Sequence, residues 1–126
     1  MMLRAVIKVT ICIVVFTLMK GAWAGECDKS NTNAEMIECA GGLYKKSDAV
    51  LNGVYKDVIS KASPNVKAVL VEAQRKWIAF RDKHCEIYNA IYEGGSMAPL
   101  QNVMCLKDLT DIRTKELRSI LGEIAR

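Results

Sequence analysis

Catalysis by side chains needs a nucleophile, a base or a set of metal ligands that can converge on one point. Few residues of this sequence could supply one. His84 is the single histidine, and it falls on the apolar side of a helical repeat, the setting of a core or boundary residue. A lone histidine cannot build an imidazole cluster, and no Cys-x-x-Cys pair occurs, so no structural zinc site is expected. There is no Gly-x-Ser-x-Gly elbow, no His-Glu-x-x-His and no glycine loop leading into a helix to cradle phosphate. Glu35 and Glu38 form a carboxylate pair, but at a helix start they suit the positive dipole end better than acid–base work. The residues therefore predict no enzyme, no metal and no cofactor.

A second polar set is more informative because it shares helices with apolar residues. Asp48, Asn52 and Tyr55 lie within two turns of each other. Gln74, Arg75, Arg81 and Asp82 flank Trp77 and Phe80, and Thr110 and Arg113 fall in line with leucines and isoleucines. If Arg113 faces inward it needs a carboxylate, since an unpaired buried charge is very costly; Asp48 and Asp82 are the candidates. This set could line a polar ligand pocket. The reading we favour is an interhelix ion-pair and hydrogen-bond network that fixes register, because arginine is well suited to such pairs.

The elements that must position these residues follow a leader. Arg4 and Lys8 precede an apolar run from Val9 to Met19, and Ala22-Trp23-Ala24 has the small-x-small pattern of a cleavage site. That order reads as a secretory signal peptide over residues 1–24. The run is shorter than the roughly 20 residues a membrane span needs, and Glu26 before Cys27 does not suit lipidation. Cleavage would take 24 of the 126 residues and leave 102 as one domain, residues 25–126. Arg4, Lys8 and Lys20 would leave too. The formal net charge would then fall from +4 to +1, too little for the dense basic face that nucleic acid requires.

Removing the leader also removes Cys12, which leaves Cys27, Cys39, Cys85 and Cys105. An even number of cysteines in a short exported chain reads as two disulfides.

Three helices are predicted. The first starts near Asn31-Thr32-Asn33, any of which can cap it. Its stripe runs through Met36, Ala40, Leu43, Ser47, Val50, Val54 and Val58, interrupted by Gly41-Gly42, where a kink or a close helix contact is expected. Ser63-Pro64 opens the second helix, with serine able to cap and proline suited to the first turn. Val66, Leu70, Ala73, Trp77, Phe80, His84, Ile87 and Ile91 then recur at spacings of four and three. Glu93-Gly94-Gly95-Ser96-Met97 breaks the pattern and Pro99 restarts it. The third helix carries Val103, Leu106, Thr110, Arg113, Leu117, Ile120 and Ile124, widened by Leu109, Ile112 and Leu121.

Short connections favour antiparallel neighbours. The fold class is thus all-α: a small antiparallel three-helix up-down-up domain stapled by two disulfides. In an antiparallel hairpin Cys85 and Cys105 lie about equally far from the Gly94-Gly95 turn, which predicts Cys85–Cys105 and leaves Cys27–Cys39 to hook the N-terminal tail onto the first helix. Four cysteines allow three pairings.

These same residues carry a family likeness. Cys27, AEMIECA (34–40), SDAVLNGVY (47–55), AQRKWIAFRDKHC (73–85), GGS (94–96), Cys105 and LTDIRTKEL (109–117) together resemble the LprI-type lysozyme inhibitor N-terminal domain, a family long known as a domain of unknown function. The likeness runs in order through nearly the whole of residues 25–126. Gly41-Gly42 departs from it, standing where alanine or polar residues are more usual. The resemblance implies an exported, disulfide-linked helical domain and, for at least one member, inhibition of lysozyme. It supplies no inhibitory contact residues.

An inhibitor of that kind must plug or cover a cleft that holds two carboxylates. The projecting candidate is the turn between the second and third helices: Tyr92 as an anchor, Glu93, Gly94 and Gly95 for close backbone approach, and Ser96 as a donor. It reads equally as a plain helix–helix turn. Glu26, Asp28, Glu35 and Glu38 gather near the N-terminal end against Lys29, a patch that could meet a basic partner. The expected function is a periplasmic or secreted binding protein of the bacterial envelope, inhibiting lysozyme or a related peptidoglycan hydrolase. Its rivals are an immunity-type protein against another cell-wall-degrading toxin and a non-inhibitory envelope adaptor.

Overall fold

The computed structural model describes Cys27 and residues 29–126; the leader expected over residues 1–24 lies outside the described residues. The three helices are α1 (Asn33–Lys61), α2 (Pro64–Ile91) and α3 (Ala98–Ile124). Among the described residues none is long and apolar enough to cross a membrane.

Local chemistry sets the helix ends. Of the three candidate caps for α1, the structure uses Thr32. Its side chain accepts the Glu35 N–H at 3.2 Å, and the Glu35 carboxylate accepts the backbone N–H groups of Asn31 and Thr32 at 2.7 and 3.3 Å. This is a capping box, in which two orphan donors are satisfied reciprocally. α2 begins at Pro64, where the missing N–H leaves nothing unsatisfied. Ser63 precedes it without the side-chain cap expected of it.

α1 and α3 form the main helix pair, and α2 leans against α3. The bundle is divided along its length. Near the tight α1–α2 connection lies the apolar core of Leu51, Val58, Leu70 and Leu117, with Val54, Tyr55, Trp77 and Ile120 packed around it. The middle is polar. The far end is covalent, held by Cys27–Cys39 and Cys85–Cys105, the pairing expected from the antiparallel hairpin.

Three sequence expectations need correction. Val50 and Ile112, placed on core stripes, are exposed, and Leu51 is buried in the place expected of Val50. At Gly41 and Gly42 no helix approaches closely, since a Cβ there would meet nothing within 4 Å; α1 runs through both without ending. The largest departure is in α2. Leu70 and Trp77 face the core, but Val66, Phe80, Ile87 and Ile91 point to solvent. The buried line of this helix is instead Leu70, Gln74, Arg81 and Cys85. A disulfide and a buried guanidinium tether α2 to α3, and they fix its rotation against the pull of its most apolar face.

Candidate functional site

The polar middle of the bundle is built around Arg81, which sits on α2 and is almost fully buried. A buried guanidinium must satisfy its donors and offset its charge. The Arg81 Nε donates to Asp82 Oδ1 at 2.9 Å, and an Nη lies 2.8 Å from the same oxygen. The other Nη reaches the Thr110 hydroxyl at 3.3 Å and lies 3.6 Å from Asp48 Oδ1. Thr110 itself donates back to the Leu106 carbonyl at 2.7 Å, and Thr114 to the Thr110 carbonyl at 3.0 Å. One arginine therefore joins α1, α2 and α3.

Aromatic faces complete its setting. The Arg81 guanidinium lies 5.6 Å from the Tyr44 ring centroid and 5.2 Å from that of Trp77, within the range of cation–π attraction. Arg113 approaches Trp77 as well, at 5.8 Å. Burial pushes the Tyr44 hydroxyl pKa up, against a lowering pull from Arg81.

The carboxylate partners differ from those expected for Arg113. Asp48 and Asp82 serve Arg81. Arg113 instead donates to Gln74 Oε1 at 3.0 Å and pairs with Glu116 at 2.9 Å. The reason is reach: Glu116 is one turn away on the same helix, whereas Arg81 lies deeper and nearer to both aspartates. Of the other residues expected here, Asn52 donates to Asp48 at 3.2 Å, Tyr55 packs on the apolar core, and Arg75 is exposed. His84 is half-buried, its ring 5.3 Å from that of Phe80. The middle is a satisfied network.

The turn at the covalent end is a separate feature. Gly95 N–H donates to the Tyr92 carbonyl at 2.7 Å. Gly94 occupies φ +70°, a conformation in which a Cβ is disfavoured. A Cβ on Gly95 would lie 3.0 Å from the Tyr92 carbonyl oxygen. Tyr92, Glu93, Gly94, Gly95, Ser96 and Met97 are all exposed. Sequence reasoning missed what positions this tip. Asn33 Nδ2 donates to the Ser96 carbonyl at 2.7 Å, which brings the first turn of α1, with Glu35, beside the tip. Asn102 Nδ2 holds the Cys85 carbonyl at 2.9 Å and braces the hairpin below it. Glu26 and Asp28, the other members of the acidic patch, lie outside the described residues.

Asp108 on α3 was also not anticipated. Its Oδ1 is buried without a hydrogen-bond partner, and burial raises its pKa despite Lys107 nearby. For Asp111 burial again pushes upward, but hydrogen bonds from Lys107 and Ser47 outweigh it and hold the carboxyl below its ordinary value. Among the described residues no group of histidine, cysteine and carboxylate side chains could hold a metal ion.

Comparison with known proteins places this geometry in context. Residues 26–117 match the model of a family described as lysozyme inhibitor LprI. An uncharacterized protein of Rhizobium meliloti (strain 1021) is 32% identical over 109 residues, covering 76% of this chain and 78% of its own length. No solved structure matches.

Proposed function

This chain belongs to the lysozyme inhibitor LprI family, and on that premise we propose that it is an exported, non-enzymatic inhibitor of lysozyme or a related peptidoglycan hydrolase, acting in the periplasm or outside the cell. The family match across both cysteine pairs and the Arg81 network is the observation that carries the reading. The network explains why those residue types are needed: they hold three helices in register and leave the ends free to bind.

The inhibitory element we assign is the tip, Tyr92 to Ser96. It is exposed, and the Cys85–Cys105 disulfide with the Asn33–Ser96 hydrogen bond braces the hairpin that carries it. A braced tip loses little conformational freedom on binding, which favours affinity. Tyr92 supplies a rigid aromatic anchor of the kind that dominates interfaces. The acidic first turn of α1 beside it suits a basic hydrolase and would hasten encounter.

Calorimetric titration of residues 25–126 into lysozyme tests both parts. The expected result is one-to-one binding, weakened at least about tenfold by Tyr92→Ala, a loss of about 1.4 kcal/mol. Absence of binding would refute the function. Full binding by the Tyr92→Ala protein would leave the function standing and refute the tip.

A further inference from the structure

A groove of about 430 Å³ runs between α1 and α3, walled by Val50 of α1 and by Asp108, Asp111, Ile112, Lys115 and Arg118 of α3. Its volume is within the ~300–1,000 Å³ of small-molecule sites. The charges in it are segregated along α3. Asp108 and Asp111 stand at one end, and Lys115 and Arg118 follow further along the helix. Val50 and Ile112, 47 and 51% exposed, give it an apolar wall.

These charges are not equally satisfied. Asp111 has Lys107 at 2.8 Å and a hydrogen bond from Ser47. Asp108 Oδ1 is buried without a hydrogen-bond partner. The charges that act on Asp108 are Lys107, already paired with Asp111, and Asp111 itself, which repels it. At the other end Lys115 and Arg118 are exposed, and among the described residues neither is in an ion pair. A buried carboxylate oxygen without a donor is rare in folded proteins and calls for an explanation.

We propose that this groove binds a short free peptide in extended form, with its terminal ammonium on Asp108 and its terminal carboxylate between Lys115 and Arg118. The chemistry of the two ends selects this ligand. An ammonium supplies both the donors and the positive charge that Asp108 lacks, and the broad terminal torsion of an aspartate lets the carboxyl turn to meet it. A carboxylate suits the guanidinium of Arg118, which can grip it with two parallel hydrogen bonds. A simple amine leaves the cations unanswered, and a simple anion leaves Asp108 unanswered.

Length then sets the size. Asp108 and Lys115 are two turns apart, roughly 10 Å along the axis, with Arg118 one turn beyond. Long side chains on a helix lean toward its N-terminus, so both cations reach back along the groove toward Asp108. An extended peptide of two or three residues spans ~7–11 Å, which fits that gap. Small apolar side chains on it would lie against Val50 and Ile112. The groove is distinct from the Tyr92–Ser96 tip, so its test is independent of lysozyme binding.

Titration of residues 25–126 with L-alanyl-L-alanine, followed by backbone amide shifts, tests this. Saturable shifts are expected around residues 47–50 and 108–118, with a Kd of millimolar order. N-acetylation or C-terminal amidation of the dipeptide should each weaken binding at least tenfold. Asp108→Asn should weaken the free dipeptide to the level of the acetylated one and abolish discrimination between those two. Arg118→Gln should reduce discrimination between the dipeptide and its amide, leaving that against acetylation intact. A role in folding alone predicts none of these pairings. No saturable shifts up to about 10 mM overturns the proposal. So do shifts centred elsewhere, equal affinity for free and capped dipeptides, or full discrimination against acetylation in Asp108→Asn.

Discussion

Arg81 is the residue on which the middle of the bundle turns, and its environment predicts how the protein responds to its loss. Its guanidinium donates to Asp82 and Thr110, faces Asp48 and lies between Tyr44 and Trp77. Arg81→Ala removes charge-assisted hydrogen bonds and packing together, while both aspartates are exposed enough to regain water. The expected loss is about 1.5–3 kcal/mol in chemical denaturation. Arg81→Lys keeps the charge but not the planar fork, so it should fall between. Asp108 gives the opposite sign. Burial raises its folded pKa above the unfolded value, so the carboxylate form destabilises the fold at neutral pH, and stability is regained as pH falls through that raised value. Asp108→Asn should therefore raise the melting temperature at pH 7, and the gain should vanish below the unfolded carboxylate pKa, near pH 3. Equal gains at both pH values would refute this. Asp111 runs the other way: its lowered pKa contributes stability above the unfolded value that is lost as acid protonates it.

At the scale of the helix, the periodic signal located all three elements to within a residue or two but misjudged which face of α2 turns inward. The reason is physical. Periodicity reports where apolar residues cluster, not whether a neighbour covers them, and α2 has essentially one neighbour, α3. Its rotation is set by Cys85 and Arg81, which lie about a quarter-turn away from the apolar stripe. Arg113 was paired with the wrong carboxylates for a related reason: a sequence shows which charges exist, not which is deepest. The contribution of Tyr44 was readable in principle, since it stands one turn before Asp48 on the same helix. The Asn33–Ser96 contact spans 63 positions and leaves no local trace. Two predictions belong here. Gly42 is exposed, helical and free of neighbours, so Gly42→Ala should stabilise by about 0.5–1 kcal/mol. Removing Cys85–Cys105 as a double alanine variant should cost about 3 kcal/mol for a separation of 20 residues. The loss should appear as a lower denaturation midpoint, and no change in midpoint would mean that the hairpin is held without its staple.

The whole molecule joins an apolar core at one end, a polar register in the middle and a cross-linked tip at the other. The core and network supply the fold, and the disulfides cross-link the end that carries the α2–α3 turn. On the proposed reading, in which the tip meets a basic hydrolase, the acidic first turn of α1 beside it makes the encounter salt-sensitive. Binding should weaken as ionic strength rises from about 0.01 to 0.15 M, over which the screening length shortens from ~30 to ~8 Å. The decisive measurement is turnover of peptidoglycan by lysozyme in the presence of residues 25–126. An inhibitor slows hydrolysis in proportion to the amount added, approaching arrest at micromolar excess. Hydrolysis at the full rate, across lysozymes of both bacterial and animal type, would contradict the account.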